Sequence, residues 1–285
     1  MDVLITAGGT AEKIDGVRYI TNTSTGSMGK ALAEAFGALE EIGKIWYICG
    51  PKALRPATSK AYIIEVESTD GLEAAIRRQC QDSHIDVAVH AMAVSDYAVE
   101  RVTTVGSVAD GVVDALKRAG DEDAGLARLI CNAVQPEGLP EDDDRRLRAY
   151  FADAVRNAYS LIGGHAGDCA YGGKLSSNID GLMISLKRTP KVIASLRGLL
   201  PDALIVGFKL LDGSEKETLM KAARELMERN GCDYVLANDQ AWISGDSHKG
   251  FLLGRDGECE SFNSKGEIAA GIVRAALRHC GATAR

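Results

Sequence analysis

Residues 3–30 read VLITAGGTAEKIDGVRYITNTSTGSMGK. The apolar run at 3–5 leads into a glycine turn, Gly8-Gly9-Thr10, and Gly26 and Gly29 form a second glycine pair at the start of an amphipathic segment. A strand, a glycine turn and a helix N-terminus together favour an anion, because free backbone N–H groups and the helix dipole both point to it. The stretch therefore predicts a phosphate-binding loop at the start of an α/β fold.

The loop between the two glycine pairs is longer than phosphate binding requires. It has about fifteen residues and includes Arg18, Asn22 and Ser24. The guanidinium of Arg18 can form paired hydrogen bonds with phosphate or carboxylate; a surface ion pair is the alternative. The amide of Asn22 can stabilise a developing oxyanion or cap its own turn. The loop is therefore a candidate reaction centre.

Strand and helix patterns alternate along most of the chain. This alternation predicts an α/β, Rossmann-like fold with a mostly parallel sheet flanked by helices. The predicted strands are 3–7, 45–49, 62–66, 86–94, 182–186, 203–209, 234–237, 251–254 and 259–262. The predicted helices are 27–39, 70–81, 190–200, 214–230 and 264–280. A turn at 256–257 predicts a hairpin between the last two strands.

Residues 100–170 interrupt the alternation. They are rich in Asp, Arg, Ala and Gly, with weak helical periodicity over 108–118 and 145–161. No long linker separates them from the rest. We therefore expect one domain, 1–285, with a largely helical subdomain inserted at 100–172.

Composition excludes several classes of protein. The net charge of -7 gives no basic field for nucleic acid or an anionic membrane. No apolar run is long enough to span a membrane, and no signal peptide pattern follows Met1. The seven cysteines form no CxxC pair and the five histidines no HxxxH pair, so we expect reduced core thiols and no zinc site. A catalytic cysteine is the alternative. These features predict a cytoplasmic protein.

Polar and aromatic residues follow the predicted strands, where ligands bind in open α/β sheets. Asp96 follows strand 86–94 and can orient a ribose or base, or cap a helix. Phe208 ends strand 203–209 and can stack on a base or pack in the core. Asn238 follows strand 234–237. Lys174, after two glycines, suits a lid over phosphates, although a lone lysine is more often simply exposed, and loops are polar in general.

Six segments resemble phosphopantothenate–cysteine ligase, and they occur in the order found in that family. They are GGTAEKIDGVRYITNTSTGSMGKALAE (8–34), HAMAVSDY (90–97), GKLSS (173–177), LKRTPKVI (186–193), GFKLL (207–211) and DYVLAND (233–239). The segments HAMAVSDY, LKRTPKVI and GFKLL resemble the stand-alone bacterial form of the family, so we expect no fused decarboxylase. About seventy residues separate Tyr97 from Lys174, more than the family usually places there.

The resemblance implies a homodimeric ligase of coenzyme A biosynthesis. It would join 4′-phosphopantothenate to L-cysteine through an acyl-nucleotide, using CTP (favoured) or ATP with Mg²⁺. By the same resemblance, the catalytic residues are Asn22 and Lys174. The implied substrate-binding residues are Arg18, Ser24, Gly26, Gly29 and Ala91. The implied nucleotide-binding residues are Gly8, Gly9, Thr10, Asp96, Phe208 and Asn238.

Two other functions remain open at this point. An NAD(P)-dependent Rossmann reductase would explain the sheet and the glycines, but the chain has no compact GxGxxG and no suitably placed Tyr-x-x-x-Lys pair. A catalytically inactive nucleotide-binding regulatory module would bind nucleotide without turnover, with the insertion binding a partner protein.

Overall fold

The computed structural model describes residues 1–108, 110, 170, 171, 173–244 and 247–283. The chain divides into two compact units. The sheet unit comprises Met1–Glu12, Tyr19–Ala98 and Arg188–Arg285, and the insertion unit comprises Lys13–Arg18 and Val99–Lys187. None of the helices within the described ranges is long and apolar enough to cross a membrane.

Fourteen strands and five helices have bounds within the described residues. The strands are β1 (Val3–Ala7), β2 (Ala11–Lys13), β3 (Tyr19–Thr21), β4 (Ile45–Cys49), β5 (Ala61–Glu65), β6 (Val87–His90), β7 (Tyr97–Thr104), β8 (Ala170–Tyr171), β9 (Lys174–Leu175), β10 (Leu182–Arg188), β11 (Leu204–Leu211), β12 (Tyr234–Ser244), β13 (Ser247–Gly254) and β14 (Cys259–Ser264). The helices are α1 (Ser27–Gly37), α2 (Thr69–Asp82), α3 (Val192–Leu199), α4 (Lys216–Asn230) and α5 (Lys265–Thr283).

The sheet unit is built on eight strands in the order β14-β13-β12-β11-β6-β1-β4-β5. The pairs from β12 to β5 are all parallel, whereas β13 and β14 pair antiparallel. Strand order reverses between β1 and β6, because the chain moves outward from β1 to β5 and then returns to β6. This is the doubly wound arrangement in which ligands bind at the reversal point. The predicted Rossmann-like fold is confirmed.

Helices cover both faces of this sheet. One buried cluster joins Val3 and Ile5 of β1 to Leu32 of α1 and Ile272 of α5. The other joins Leu4 of the same strand to α2, α3 and α4. Side chains of one strand therefore alternate between two cores, as expected for a parallel sheet buried on both sides.

Several predicted boundaries differ from the structure; for example, β6 ends at His90 rather than at 94, and β13 begins at Ser247 rather than at 251. Helix α3 begins at Val192 rather than at 190, because the backbone of Lys191 is still extended. Strand β12 continues to Ser244 rather than ending at 237, because β13 provides an antiparallel partner beyond that point. Strand β10 was expected in the main sheet but forms a separate two-stranded sheet with β7.

Most of the predicted helical insertion lies outside the described residues. This holds for all of the predicted helix at 145–161, and for the one at 108–118 apart from residues 108 and 110. The described part of the insertion unit includes the strands β8 and β9 and most of β7 and β10, so the segment up to Thr104 is strand. The inserted subdomain at 100–172 stays a prediction.

Candidate ligand site at the strand-order reversal

The two glycine pairs of the first loop meet at the carboxyl end of β1. Gly8 (φ 81°) and Gly26 (φ 73°) both have the left-handed backbone that favours glycine. A Cβ on Gly26 would lie 3.1 Å from the Gly8 nitrogen, and one on Gly8 would lie 2.7 Å from the Cβ of Ala53. The two ends of the loop are therefore fixed against each other and against the loop after β4.

Asn22 and Thr10 join this loop to the segment that follows β6, across the reversal point. The Thr10 N–H and the Asn22 Nδ2 group both donate to the carbonyl oxygen of Ala93, each at 3.2 Å. The Ala93 N–H donates in return to the Gly8 oxygen at 2.8 Å. A Cβ on Gly9 would lie 2.7 Å from the Asn22 carbonyl oxygen. The structure thus brings these predicted residues together, with the Asn22 side chain at the surface.

Ser24 and Ala91 lie in the same region of the sheet unit. The Ser24 N–H donates to the Asn22 carbonyl oxygen at 2.9 Å, so Ser24 belongs to the same turn. The Ala91 N–H donates to the Thr6 oxygen at 3.2 Å, and its methyl group packs on the core under α1 and α5. Both residues are therefore close to the carboxyl ends of β1 and β6.

The N-terminus of α1 is suited to binding an anion. Gly26 provides no side-chain cap, and the first turn contains no acidic residue. In contrast, the Glu12 carboxylate accepts from the first N–H of α2, at Thr69, over 2.8 Å. Before α4, the backbone N–H of Ser214 donates to Asp239, and this bond is the main reason why the Asp239 pKa falls to about 2. The first turns of α1 and α3 contain no acidic residue, and α1 is the helix that starts at the glycine loop of the reversal point, so we expect a phosphate at α1.

A buried polar network that the sequence analysis missed supports the loop. Thr10 Oγ1 accepts from the Ser95 N–H at 2.8 Å and donates to Ser95 Oγ at 3.1 Å. Thr69 Oγ1 donates to the Glu12 carboxylate at 2.7 Å, and Thr21 Oγ1 donates to the Thr10 oxygen at 2.9 Å. Since the Thr10 side chain is wholly buried and used in this way, its contribution to a ligand is the position of its backbone.

Asp96 forms a surface ion pair with Lys191, which precedes α3. The two side chains are 63% and 65% exposed. Exposed ion pairs contribute little to stability and exchange readily with other partners. The Asp96 carboxylate is therefore accessible to a ligand, although its present partner is a lysine rather than a helix end.

Phe208 and Asn238 lie on the sheet face covered by α1 and α5. Phe208 packs against that core, and Leu236 of the neighbouring strand belongs to it. Because side chains alternate along a strand, Asn238 is on the same face as Leu236. Asn238 was predicted to follow the end of its strand, but it lies inside β12, is 5% exposed, and bonds to His248.

His90, at the end of β6, is a buried histidine that the sequence did not single out. Its Nδ1 lies 2.9 Å from Thr6 Oγ1, and that hydroxyl also accepts from the Met92 N–H. Because the Thr6 oxygen receives one hydrogen, its own hydrogen is free to bond to a neutral ring nitrogen. Burial lowers the pKa of His90 to about 4.

Because the His90 ring is buried, we expect the free energy of unfolding to fall in acid. Below a pKa of about 6.5 the unfolded chain binds a proton at this residue, whereas the folded chain does so only near pH 4. The free energy of unfolding should fall by about 1.4 kcal/mol per pH unit between those values, with the contribution complete above pH 6.5. Urea unfolding at pH 7, 6 and 5 measures the slope. His90→Gln should have a shallower slope, and equal slopes would contradict the assignment.

Gly29 brings α1 close to β1. A Cβ there would lie 2.4 Å from the Cβ of Ala7 and 3.3 Å from its Cα. Gly29→Ala should therefore lower the free energy of unfolding by about 1–3 kcal/mol, because the helix must move away from the strand. Gly198→Ala is the matched control, since that helical glycine has open space around it. Urea unfolding compares the two, and equal stability of both variants would contradict the packing argument.

Arg18 and Lys174 belong to the insertion unit, and Asp15 connects their two loops. The Asp15 carboxylate forms an ion pair with the Arg18 guanidinium at 2.9 Å and accepts from the Leu175 N–H at 3.1 Å. Burial alone would raise the pKa of Asp15. Hydrogen bonds from backbone N–H groups, including that of Val17, and the positive charge of Arg18 together lower the pKa by more than burial raises it. The net pKa is below the ordinary value, so Asp15 is ionised.

A second contact fixes the lysine loop. The Gly16 N–H donates to the Gly173 oxygen at 2.7 Å, and Gly173 has a φ of 85° that favours glycine. Lys174 follows in β9 with an exposed side chain. The long segment between Tyr97 and Lys174 therefore does not separate this lysine from Arg18.

The parallel strand order and its reversal at a glycine loop define a doubly wound, Rossmann-type α/β domain, a fold in which ligands bind at the reversal point. The chain belongs to the DNA/pantothenate metabolism flavoprotein C-terminal domain family, whose family model matches residues 1–106 and 169–279. The match leaves out 107–168, within the expected insertion.

Similar proteins agree with this assignment. The bifunctional coenzyme A biosynthesis protein CoaBC of Thermococcus kodakarensis is 29% identical over 254 residues, which are 89% of this chain and 45% of that protein. Two curated relatives match most of this chain, and the chain spans about half of the length of each. The DNA/pantothenate metabolism flavoprotein of Streptococcus pneumoniae has a solved structure with a TM-score of 0.72 and 26% identity, over 98% of this chain and 99% of that one. A Cab2 mutant in complex with phosphopantothenate-cysteine shares the fold (TM-score 0.60, 14% identity, 100% of this chain and 89% of that one).

Proposed function

We propose that this protein is a ligase of coenzyme A biosynthesis that joins 4′-phosphopantothenate to L-cysteine through an acyl-nucleotide intermediate. One observation carries the proposal. In a chain of this family, Asn22 and the N-terminus of α1 lie on one loop at the strand-order reversal, and that loop is bonded to the segment after β6. The name of the Thermococcus kodakarensis relative supports the same pathway.

The proposed reaction has two steps. A carboxylate oxygen of phosphopantothenate attacks the α-phosphorus of the nucleoside triphosphate, and the bond to pyrophosphate breaks. The cysteine amine then attacks the acyl carbon, the bond to the nucleoside monophosphate breaks, and the amine loses a proton. We propose that the α1 N-terminus binds phosphate and that the Asn22 amide donates to the acyl-nucleotide.

The remaining predicted residues have supporting roles in this proposal. Arg18 and Lys174 neutralise the anionic substrates, and Asp96, Phe208 and Asn238 contact the nucleotide. Among the described residues, no three His, Cys, Asp or Glu side chains are grouped to hold a metal ion. We therefore propose that Mg²⁺ arrives bound to the triphosphate, which is common for that ion.

Two further features belong to the proposal. The exposed apolar side chains of Leu182, Met183 and Leu186 on β10 support a homodimer, which sedimentation velocity would test. Free cysteines throughout the described residues, including Cys49 and Cys232, support a reducing compartment such as the cytoplasm, which cell fractionation would test.

Turnover of purified protein tests the function. Incubation with phosphopantothenate, cysteine and the magnesium complex of CTP or ATP should release pyrophosphate in proportion to the amide formed, and competition between the nucleotides establishes which is preferred. We expect CTP. Absence of phosphopantothenate-dependent pyrophosphate release with either nucleotide would overturn the proposal, and nucleotide binding without turnover would instead indicate a regulatory module.

A further inference from the structure

A buried polar pair joins β12 to β13 on the sheet face of α1 and α5. Asn238 is 5% exposed and His248 is 6% exposed. The Nδ2 atom of Asn238 lies 3.1 Å from the Nε2 atom of His248. Strand pairing is irregular between Asn238 and Ile243, so the two strands are held here by side chains as well as by backbone bonds.

The imidazole of His248 lowers the stability of the fold at this position compared with an apolar ring. Its Nδ1 atom is fully buried and has no hydrogen-bond partner within the part of the chain that the structure describes. A buried polar atom without a partner destabilises a fold, and an apolar ring would fill the same space without that penalty. Within the described residues, the hydrogen bond of the His248 ring is to Asn238. The contact with the Asn238 amide is therefore the interaction that offsets part of this cost.

The tautomer of the ring and the orientation of the amide are linked. Burial, and then the charge of Lys265, lowers the pKa of His248, so the ring is neutral. Because the structure places the Asn238 amide nitrogen toward Nε2, Nε2 is the acceptor and the ring hydrogen is on Nδ1. Because the nitrogen and oxygen of an amide diverge from the same carbon, the Asn238 oxygen is then turned away from the ring.

We propose that His248 is a positioning residue that holds the Asn238 oxygen toward the nucleotide, where it selects a base with an exocyclic amino group. The inference rests on the proposed function, in which Asn238 contacts the nucleotide. An oxygen held in one orientation accepts a hydrogen from the amino group of cytosine or adenine and opposes a carbonyl at the same place. Phe208, on the same face, packs against the core and is only partly buried.

Equilibrium binding tests the inference without turnover. CTP is compared with UTP, and ATP with ITP, because each pair exchanges one amino group for a carbonyl. Wild-type protein should prefer the amino nucleotide by at least about tenfold in one pair, the effect of one well-placed hydrogen bond. His248→Phe should reduce that preference to near unity. The exposed His84→Phe is the matched control and should keep it.

A double-mutant cycle separates positioning from general damage. If His248 acts through Asn238, the preference of His248→Phe/Asn238→Ala should equal that of Asn238→Ala alone, whereas independent effects would add. Asn238→Ala also provides the test if His248→Phe does not fold. An unchanged preference in either single variant, additive effects, or a wild-type protein that binds both members of each pair equally would overturn the inference. Pyrophosphate release by the wild type tests the ligase proposal separately.

Discussion

Asn22→Asp should lower ligase turnover by about 10²–10³-fold while the nucleotide still binds. The magnitude is typical for loss of one donor to a developing oxyanion. The Asn22 amide nitrogen donates to the Ala93 oxygen at 3.2 Å, and a carboxylate cannot make that bond. It would also place a negative charge beside an anionic intermediate. The bond from the Thr10 N–H to Ala93 and the contact of Gly9 with the Asn22 backbone oxygen do not use the Asn22 side chain, so both should remain in the variant.

Amide formation and pyrophosphate release are measured together for this variant, with nucleotide affinity as a separate readout. Asn263→Asp makes the same change of charge at another exposed asparagine of the sheet unit and should retain wild-type turnover. Turnover of Asn22→Asp within a few-fold of the wild type would exclude Asn22 from the reaction centre. Loss of nucleotide binding would instead point to a role in the first complex.

Lys174→Gln should slow the first step, seen as pyrophosphate release, by about 10–100-fold. Glutamine keeps a similar length and polarity but loses the charge, and a hydrogen bond to a charged group contributes about 1.5–3 kcal/mol. The Lys174 side chain is exposed, so the substitution should leave stability unchanged.

A second exposed lysine provides the control for this experiment. Lys221→Gln removes the same charge from an exposed position on α4 and should not slow the first step. If Lys174→Gln releases pyrophosphate at the wild-type rate, the assignment of Lys174 to the triphosphate is wrong. If both variants are equally slow, the effect arises from net charge rather than from this lysine.

Short-range sequence patterns were sufficient to predict the strand, the turn and the helix that surround the site. The apolar run of β1, the glycine turn after it and the start of α1 were all predicted, because each depends on residues close in sequence. The parallel sheet followed from the alternation of strands and helices. The residues that hold the loop in place were missed. Glu12 and Thr69, for example, are 57 positions apart, and no periodicity relates them.

Tertiary pairing explains the other differences. The sequence from Asn238 to Ser244 has no strong strand signal, and its strand structure depends on pairing with β11 at its start and with β13 at its end. Phe251 and Trp242 pack edge to face across this pair, a contact that only the folded sheet creates. The same pairing buries His248 beside Asn238, which is why a histidine in an unremarkable polar stretch escaped notice.

The contact between Gly8 and Gly26 has a consequence for how this loop can evolve. Packing at Ala53 holds the two ends, so the entropy of closing the loop depends only on the logarithm of its length. Doubling the number of residues would add about 0.6 kcal/mol. Added residues at exposed positions of this loop, such as Thr23, should therefore have little effect on stability, whereas exchanges at Thr10 or Glu12 would break the buried polar network that supports the loop.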